Sequence, residues 1–149
     1  MGALLVQFPG YTLIKELGQG AFARVYKAAT EDGRLVALKV IHCEHQRSAK
    51  VMTRVKREID ACSHLKHPNV VQMLDAQFNE DSVFLVLEYL EGEDLSERLT
   101  KKVLTLDEVR SVIFDVSSAL EYIHLSGLLH RDIKPANILI AENGQLKIS

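Results

Sequence analysis

The chain has 149 residues, 47% of them hydrophobic and 26% charged, with a net charge of −2. That length suits one folded domain, and the balance of residue types argues against a disordered or membrane-embedded chain. So small a charge gives no electrostatic case for nucleic acid or anionic lipid as the main partner, and neither nucleic acid nor membrane binding is expected.

The opening Met1-Gly2-Ala3-Leu4-Leu5-Val6 lacks the basic flank and the apolar length of a signal peptide. Val6 stands where a myristoylation signal wants Ser or Thr. The only cysteines, Cys43 and Cys62, make no disulfide framework, so an intracellular, reducing setting is expected, cytoplasmic by default. Strands are predicted over residues 11–17, 23–29 and 35–41, the first two joined through glycines and the next pair through Glu31-Asp32-Gly33. A helix is predicted over residues 49–65, ending before His67-Pro68-Asn69. Two more strands, 70–74 and 83–87, flank the polar turn Asn79-Glu80-Asp81-Ser82. The second half changes character. Over residues 106–125, Val109, Val112, Ile113, Val116, Leu120 and Ile123 recur at helical spacing, behind a capping box of Thr105 and Glu108. Two short strands, 138–140 and 146–148, then flank Asn143-Gly144, a strong hairpin signal. The expected fold class is α+β, a β-rich lobe followed by a helical one.

Gly18-Gln19-Gly20 lies between two predicted strands, and Ala23 stands where a third glycine would complete a phosphate-cradling loop. A hairpin wants glycines for its own reasons, so the segment alone reads equally as a turn. A dinucleotide fold is excluded, because a strand rather than a helix follows. Lys39 sits in the otherwise apolar Val36-Ala37-Leu38-Lys39-Val40-Ile41, and strand alternation puts Leu35, Ala37 and Lys39 on one face. A lysine in a buried strand needs a partner or loses its proton, although an edge strand could let it reach solvent. The following helix nominates that partner: Val51, Val55, Cys62 and Leu65 form an apolar stripe with Glu58 in its middle.

His130-Arg131-Asp132-Ile133-Lys134-Pro135-Ala136-Asn137 is the most informative segment. It places a proton acceptor (Asp132), a phosphate-neutralising cation (Lys134) and a metal-ligating oxygen (Asn137) on one short loop. Phosphoryl transfer needs that kind of positioning and charge compensation more than covalent chemistry. His42-Cys43-Glu44-His45 and Cys62-Ser63-His64 with His67 imitate metal-ligand spacings, but neither closes a four-ligand set of familiar spacing.

In this order the Gly-rich loop, Val36-Ala37-Leu38-Lys39, the helical Glu58 and the His-Arg-Asp segment with its Asn resemble the eukaryotic-type protein kinase family, from about Tyr11 to Ser149. Lys134-Pro135 looks like the Ser/Thr pattern rather than the tyrosine-kinase one. Phe22-Ala23 and residues 54–68 are weakly similar to polo-like kinases, while Lys134-Pro135-Ala136-Asn137 is too widespread to assign a subfamily. The resemblance implies a kinase domain over about residues 11–149. Its N-lobe, about 11–90, would be a five-stranded antiparallel sheet with one helix, and its helical C-lobe, from about 91, only partial. The implied activity is transfer of the γ-phosphate of ATP, with Mg²⁺, to Ser/Thr hydroxyls of a protein substrate. The loop Leu17, Gly18, Gln19, Gly20, Ala21, Phe22, Ala23, Arg24 and Val25 would cover the phosphates. Lys39 would hold the α- and β-phosphates and pair with Glu58. Leu87 would be the gatekeeper, the backbone of Glu88 and Leu90 would bond adenine, and Asp94 would reach the ribose. Val25, Ala37 and Leu139 would sandwich the adenine ring. Asp132 would accept or orient the substrate hydroxyl proton, Lys134 would neutralise the γ-phosphate, and Asn137 would bind Mg²⁺.

In this family a strand like Leu146-Lys147-Ile148-Ser149 continues into Asp-Phe-Gly, whose Asp is the principal Mg²⁺ carboxylate. The expectation is therefore a fragment of a kinase, inactive alone, with an apolar stripe on residues 106–125 that later helices would cover. The alternatives are a non-catalytic kinase-like ATP-binding or interaction module and a small-molecule phosphotransferase on a related fold. Intact Lys39, Glu58, Asp132 and Asn137 count against the first, and the Gly-rich loop with Lys134-Pro135 against the second.

Overall fold

The computed structural model describes residues 8–20, 23–42, 49–79 and 82–149, with only the backbone for His42, Ala49, Lys50, Val51 and Arg54. Two compact units emerge. One comprises Met1–Ser48 with Leu74–Tyr89, the other Ala49–Met73 with Leu90–Ser149.

The first unit is a five-stranded sheet in the order β1-β2-β3-β5-β4, from β1 (Tyr11–Gln19), β2 (Ala23–Thr30), β3 (Leu35–His42), β4 (Met73–Phe78) and β5 (Ser82–Glu88). β1 pairs with β2, β2 with β3 and β3 with β5, all antiparallel. Residues opposite one another in such a ladder share a face, and successive residues alternate. One face of β3 therefore carries Val36, Leu38 and Val40, which pack with Ala28, Phe84 and Val86. Phe8 seals that face, edge-on to Phe84 at 5.0 Å between ring centroids and tilted against Tyr26 at 6.3 Å. The other face carries Val25, Lys39 and Leu85 in one row and Lys27, Ala37 and Leu87 in the next.

The fourth strand starts at Met73, three residues later than expected. The apolar run that suggested an earlier start has another use. Val70 forms a parallel bridge to Ile148 and is buried in the core of the second unit, and Val71 N–H donates to the Ile148 carbonyl at 2.8 Å.

The second unit begins with α1 (Ala49–Ser63), two residues shorter than expected. Its core gathers Val70, Leu95, Ala119, Ile123, Ile138, Ile140, Leu146 and Ile148. The helix α3 (Leu106–Leu125) has the expected bounds and capping box: Glu108 N–H donates to Thr105 Oγ at 3.2 Å, and Thr105 N–H to Glu108 Oε2 at 2.9 Å. Val112, Val116, Leu120 and Ile123 pack inward, but Val109 and Ile113 of the expected stripe are exposed, as is Phe114 (74%).

Two short elements were not expected, β6 (Gly92–Asp94) and α2 (Leu95–Lys101). With β7 (Ile138–Ala141) and β8 (Leu146–Ile148), β6 forms a three-stranded antiparallel sheet in the order β6-β7-β8. Gly92 is required at its start, because a Cβ there would stand 2.1 Å from the Ile140 carbonyl oxygen. The turn between β7 and β8 contains Gly144 at φ 84°, the left-handed conformation that the Asn-Gly signal anticipates.

Candidate active site

In the first unit, β1 and β2 stay paired up to Gly18 opposite Val25 and Gln19 opposite Arg24, and Gly20 N–H donates to the Ala23 carbonyl at 2.8 Å. Ala21 and Phe22, the tip of the Gly-rich segment, lie outside the described residues, as does most of His42-Cys43-Glu44-His45. No heavy atom of the described residues lies within 4 Å of a notional Cβ at Gly18. Val25, Ala37 and Lys39 share the sheet face opposite the one Phe8 seals, and Ala37 and Lys39 are half-buried. Ala37 adds only a methyl group to that face. On the same face the Lys27 ammonium sits 4.3 Å from the centroid of the Tyr89 ring, next to Glu88.

In the second unit, the loop of residues 130–137 is held by its own polar groups. Lys134 Nζ lies 2.9 Å from Asp132 Oδ2. The Asn137 side-chain amide donates to Asp132 Oδ2 and to the Asp132 carbonyl, each at 2.8 Å. Lys134, and next the Asn137 amide, hold the Asp132 carboxyl below the usual carboxylate range, so it is ionised at neutral pH. Asp132 N–H donates to His130 Nδ1 at 3.3 Å, which puts the imidazole proton of the neutral ring on Nε2, 2.9 Å from the Ser149 carbonyl. Ser149 N–H in turn donates to the Asn137 carbonyl at 2.9 Å. Between His130 and Asp132, Arg131 adopts φ 66°, a left-handed backbone that costs a non-glycine residue about 1–2 kcal/mol. Nothing in the residue type announces that geometry.

Immediately after the loop, a 3₁₀ turn (Pro135–Asn137) leads into β7, where Ile138 and Ile140 enter the core and Leu139 faces the other way. Leu139 is directly opposite Asp94 in the ladder. Leu139 and Asp94, which the family resemblance would set against adenine and ribose, are thus cross-strand neighbours. Asp94 also caps α2, its Oδ1 accepting from Glu97 N–H at 2.9 Å. The Asp-x-x-Glu spacing of Asp94 and Glu97 was the available sequence signal for that helix.

Glu58 departs from expectation. It is exposed rather than buried in the stripe, while Val55, Cys62 and Leu65 are half-buried. Burial, then the nearby Glu58 carboxylate, pushes the Cys62 thiol up. Desolvation therefore does not by itself demand a cation for Glu58, and its expected partnership with Lys39 rests on the family resemblance alone.

The residues fit ATP and Mg²⁺ in kind. With its NH₂ group donating to Asp132, Asn137 would have its side-chain carbonyl oxygen left to meet a metal ion. Among the described residues no group of three or more His, Cys, Asp or Glu could cage a metal ion. A single neutral oxygen would hold Mg²⁺ only weakly, since the ion usually takes one or two carboxylates besides waters and phosphates, so Asn137 fits as a secondary ligand.

The sequence matches the family model described as a protein kinase domain over residues 11–149. It is 39% identical over 140 residues to CBL-interacting protein kinase 12 of Oryza sativa subsp. japonica, covering 93% of this chain and 26% of that protein. To the probable serine/threonine-protein kinase CPE1738 of Clostridium perfringens it is 37% identical over 141 residues, covering 93% of this chain and 21% of that one. The structure resembles the crystal structure of the Mycobacterium tuberculosis PknI kinase domain, with TM-score 0.81 and 28% identity over 96% of this chain and 60% of that chain. The chain thus spans about a quarter of the length of these curated relatives. No helix among the described residues is long and apolar enough to cross a membrane.

Proposed function

Since this chain belongs to the eukaryotic-type Ser/Thr protein kinase family, we propose that it carries the nucleotide-handling residues and the catalytic loop of a kinase that transfers the γ-phosphate of ATP to Ser or Thr of protein substrates. The observation that carries this reading is the Asp132–Lys134–Asn137 constellation: a carboxylate held ionised, with a cation at 2.9 Å and an amide at 2.8 Å. Asp132 takes or orients the hydroxyl proton of the substrate. Lys134 offsets the charge that spreads over the moving phosphoryl group. Bound Mg²⁺ would supply charge neutralisation between the β- and γ-phosphates, with Asn137 as one of its ligands.

The first unit contributes the Gly18–Val25 segment over the phosphates, Lys39 for the α- and β-phosphates, and the face of Val25 and Ala37 against adenine. Glu88 and Leu90 offer backbone groups to the base, Leu139 packs on it, and Asp94 meets the ribose. Residues 11–149 form part of the kinase domain, and the two cysteines support an intracellular setting.

The test is ATP binding by the chain, together with phosphate transfer by a whole kinase domain that carries residues 11–149, using a serine-rich protein substrate. Transfer to Ser or Thr and not Tyr, abolished by Asp132→Asn, is the expected result. ATP binding without transfer by the whole domain would instead make this a kinase-like binding module.

A further inference from the structure

Glu93, Arg98 and Glu108 form a chain of ion pairs that the proposed reaction does not use. Arg98 Nε donates to Glu93 Oε1 at 2.8 Å, and its Nη1 stands 4.0 Å from Glu108 Oε1. Lys101 Nζ lies 2.5 Å from Glu93 Oε2, and Lys102 Nζ 2.6 Å from Glu108 Oε1. The side chains of Arg98, Glu93 and Glu108 are 27%, 20% and 30% exposed, so the central links are partly shielded from solvent. Glu108 is also the capping-box residue of α3. The chain therefore runs from β6, through α2, to the first turn of the 20-residue α3.

The elements joined to α3 are the ones least able to hold themselves. β6 has three residues and α2 seven, well below the length at which an isolated helix persists in water. Asp94 is the junction between them. It follows Glu93 directly and so points to the opposite side of β6. Its Oδ1 is committed to the α2 cap, which leaves Oδ2 for an outside donor. An acceptor already held in place bonds a ligand hydroxyl without the ordering cost that a mobile one incurs.

We propose that Arg98, gripped by Glu93 and Glu108, is a positioning residue that holds Asp94 for the ribose hydroxyls of the nucleotide; this rests on the nucleotide-binding reading above. The brace acts from behind the strand that presents Asp94 and touches no substrate itself.

The experiment measures, on the chain, the ratio of affinities for ATP and 2′,3′-dideoxy-ATP, which lacks both ribose hydroxyls. Such a ratio is unaffected by a uniform loss of folded protein, so it remains readable in a destabilised variant. The parent is expected to prefer ATP, and Asp94→Ala to abolish that preference. Arg98→Met should reduce the preference about fivefold, as loss of a well-placed charged hydrogen bond implies, and the milder Glu93→Gln should reduce it less. In the Asp94→Ala background, Arg98→Met should leave the ratio where it is. If Asp94→Ala abolishes the preference while Arg98→Met and Glu93→Gln both retain the parent ratio, the brace is overturned and the nucleotide reading stands. A parent that binds neither nucleotide, or binds both equally, overturns the reading and the brace with it.

Discussion

Lys39 and Asp132 come to their positions by different means. Lys39 sits in a strand bonded on both sides, opposite Val25 of β2 and Leu85 of β5, so backbone register decides where its side chain emerges. Asp132 stands on a loop outside any ladder, placed by Lys134, by two bonds from Asn137 and by the ring of His130. In the first unit the scaffold and the chemistry are separate, and a functional side chain can be exchanged at little structural cost. In the second, the groups assigned to the chemistry also hold one another, so removing one displaces the rest.

The largest expected effects test that contrast directly. In a whole kinase domain, Lys39→Met and Asn137→Ala should each lower phosphate transfer at least about a hundredfold, as removal of a transition-state charge partner or metal ligand does. Their stabilities should diverge. Lys39→Met is expected within about 0.5 kcal/mol of the parent, as for a side chain outside the core. Asn137→Ala should cost about 1–2 kcal/mol, because two hydrogen bonds onto Asp132 go with it. Urea denaturation of both variants would show the difference, and equal losses would break the contrast.

Stability substitutions sharpen it from the structural side. Phe8→Ala removes the ring that seals the back of the sheet and should cost about 3 kcal/mol, at a residue before the family match begins at residue 11. Nucleotide affinity, read on the opposite face, should stay within about twofold once the folded fraction is allowed for, because a ΔΔG confined to the far side adds independently. Gly92→Ala should cost about 2 kcal/mol by forcing β6 off β7, and should weaken ATP binding as well, because Asp94 moves with the strand. Thermal melts alongside ATP titrations separate the two patterns.

Much of the first unit, and the last hairpin of the second, was legible because ladders announce themselves. Alternation placed Ala37 and Lys39 on one face before any register was known, and the Asn-Gly signal found the β7–β8 hairpin. The helix α3 was equally clear, since 20 residues of helical spacing behind Thr105 and Glu108 leave little ambiguity. The losses came where an element is too short to show a period, as with β6 and α2, or where an apolar residue serves a different neighbour, as Val70 does. Glu58 failed for a related reason: a helical wheel shows which residues share a side, not how deeply that side is covered. The Arg98 brace was invisible because its members are scattered over 16 positions of polar sequence that reads as ordinary surface.

The smallest expected effect concerns acid. Among the described residues of the first unit one carboxylate, Asp32, is held below its ordinary range, by the Thr30 hydroxyl first and Arg34 beside it, in the β2–β3 turn. In the second unit three are: Glu93 by Lys101 and then Arg98, Asp132 by Lys134 and then Asn137, and Glu108 by Lys102 and then the Thr105 N–H. Glu108 is lowered from its ordinary 4.5 to about 2. A carboxyl whose pKa is lower in the folded chain stabilises the fold fully above its unfolded pKa. That contribution is lost as pH falls through the folded value. For Glu108 the window runs from about 4.5 down to about 2. These groups lie near solvent and are screened, so the effect is modest. Its distribution is still uneven, and the second unit should loosen first. Amide exchange protection factors, which divide out the intrinsic pH dependence of exchange, report that loosening segment by segment. From pH 6 to pH 3, protection over α2 and the first turns of α3 should fall before protection over β2, β3 and β5. Glu108→Gln keeps the shape of the side chain but has no proton to gain in this range, so it should start lower at pH 6 and decline less steeply below pH 4.5. Loss of protection in both units at the same pH, or in the sheet first, would show that Lys102, Arg98 and Lys134 do not set the acid response.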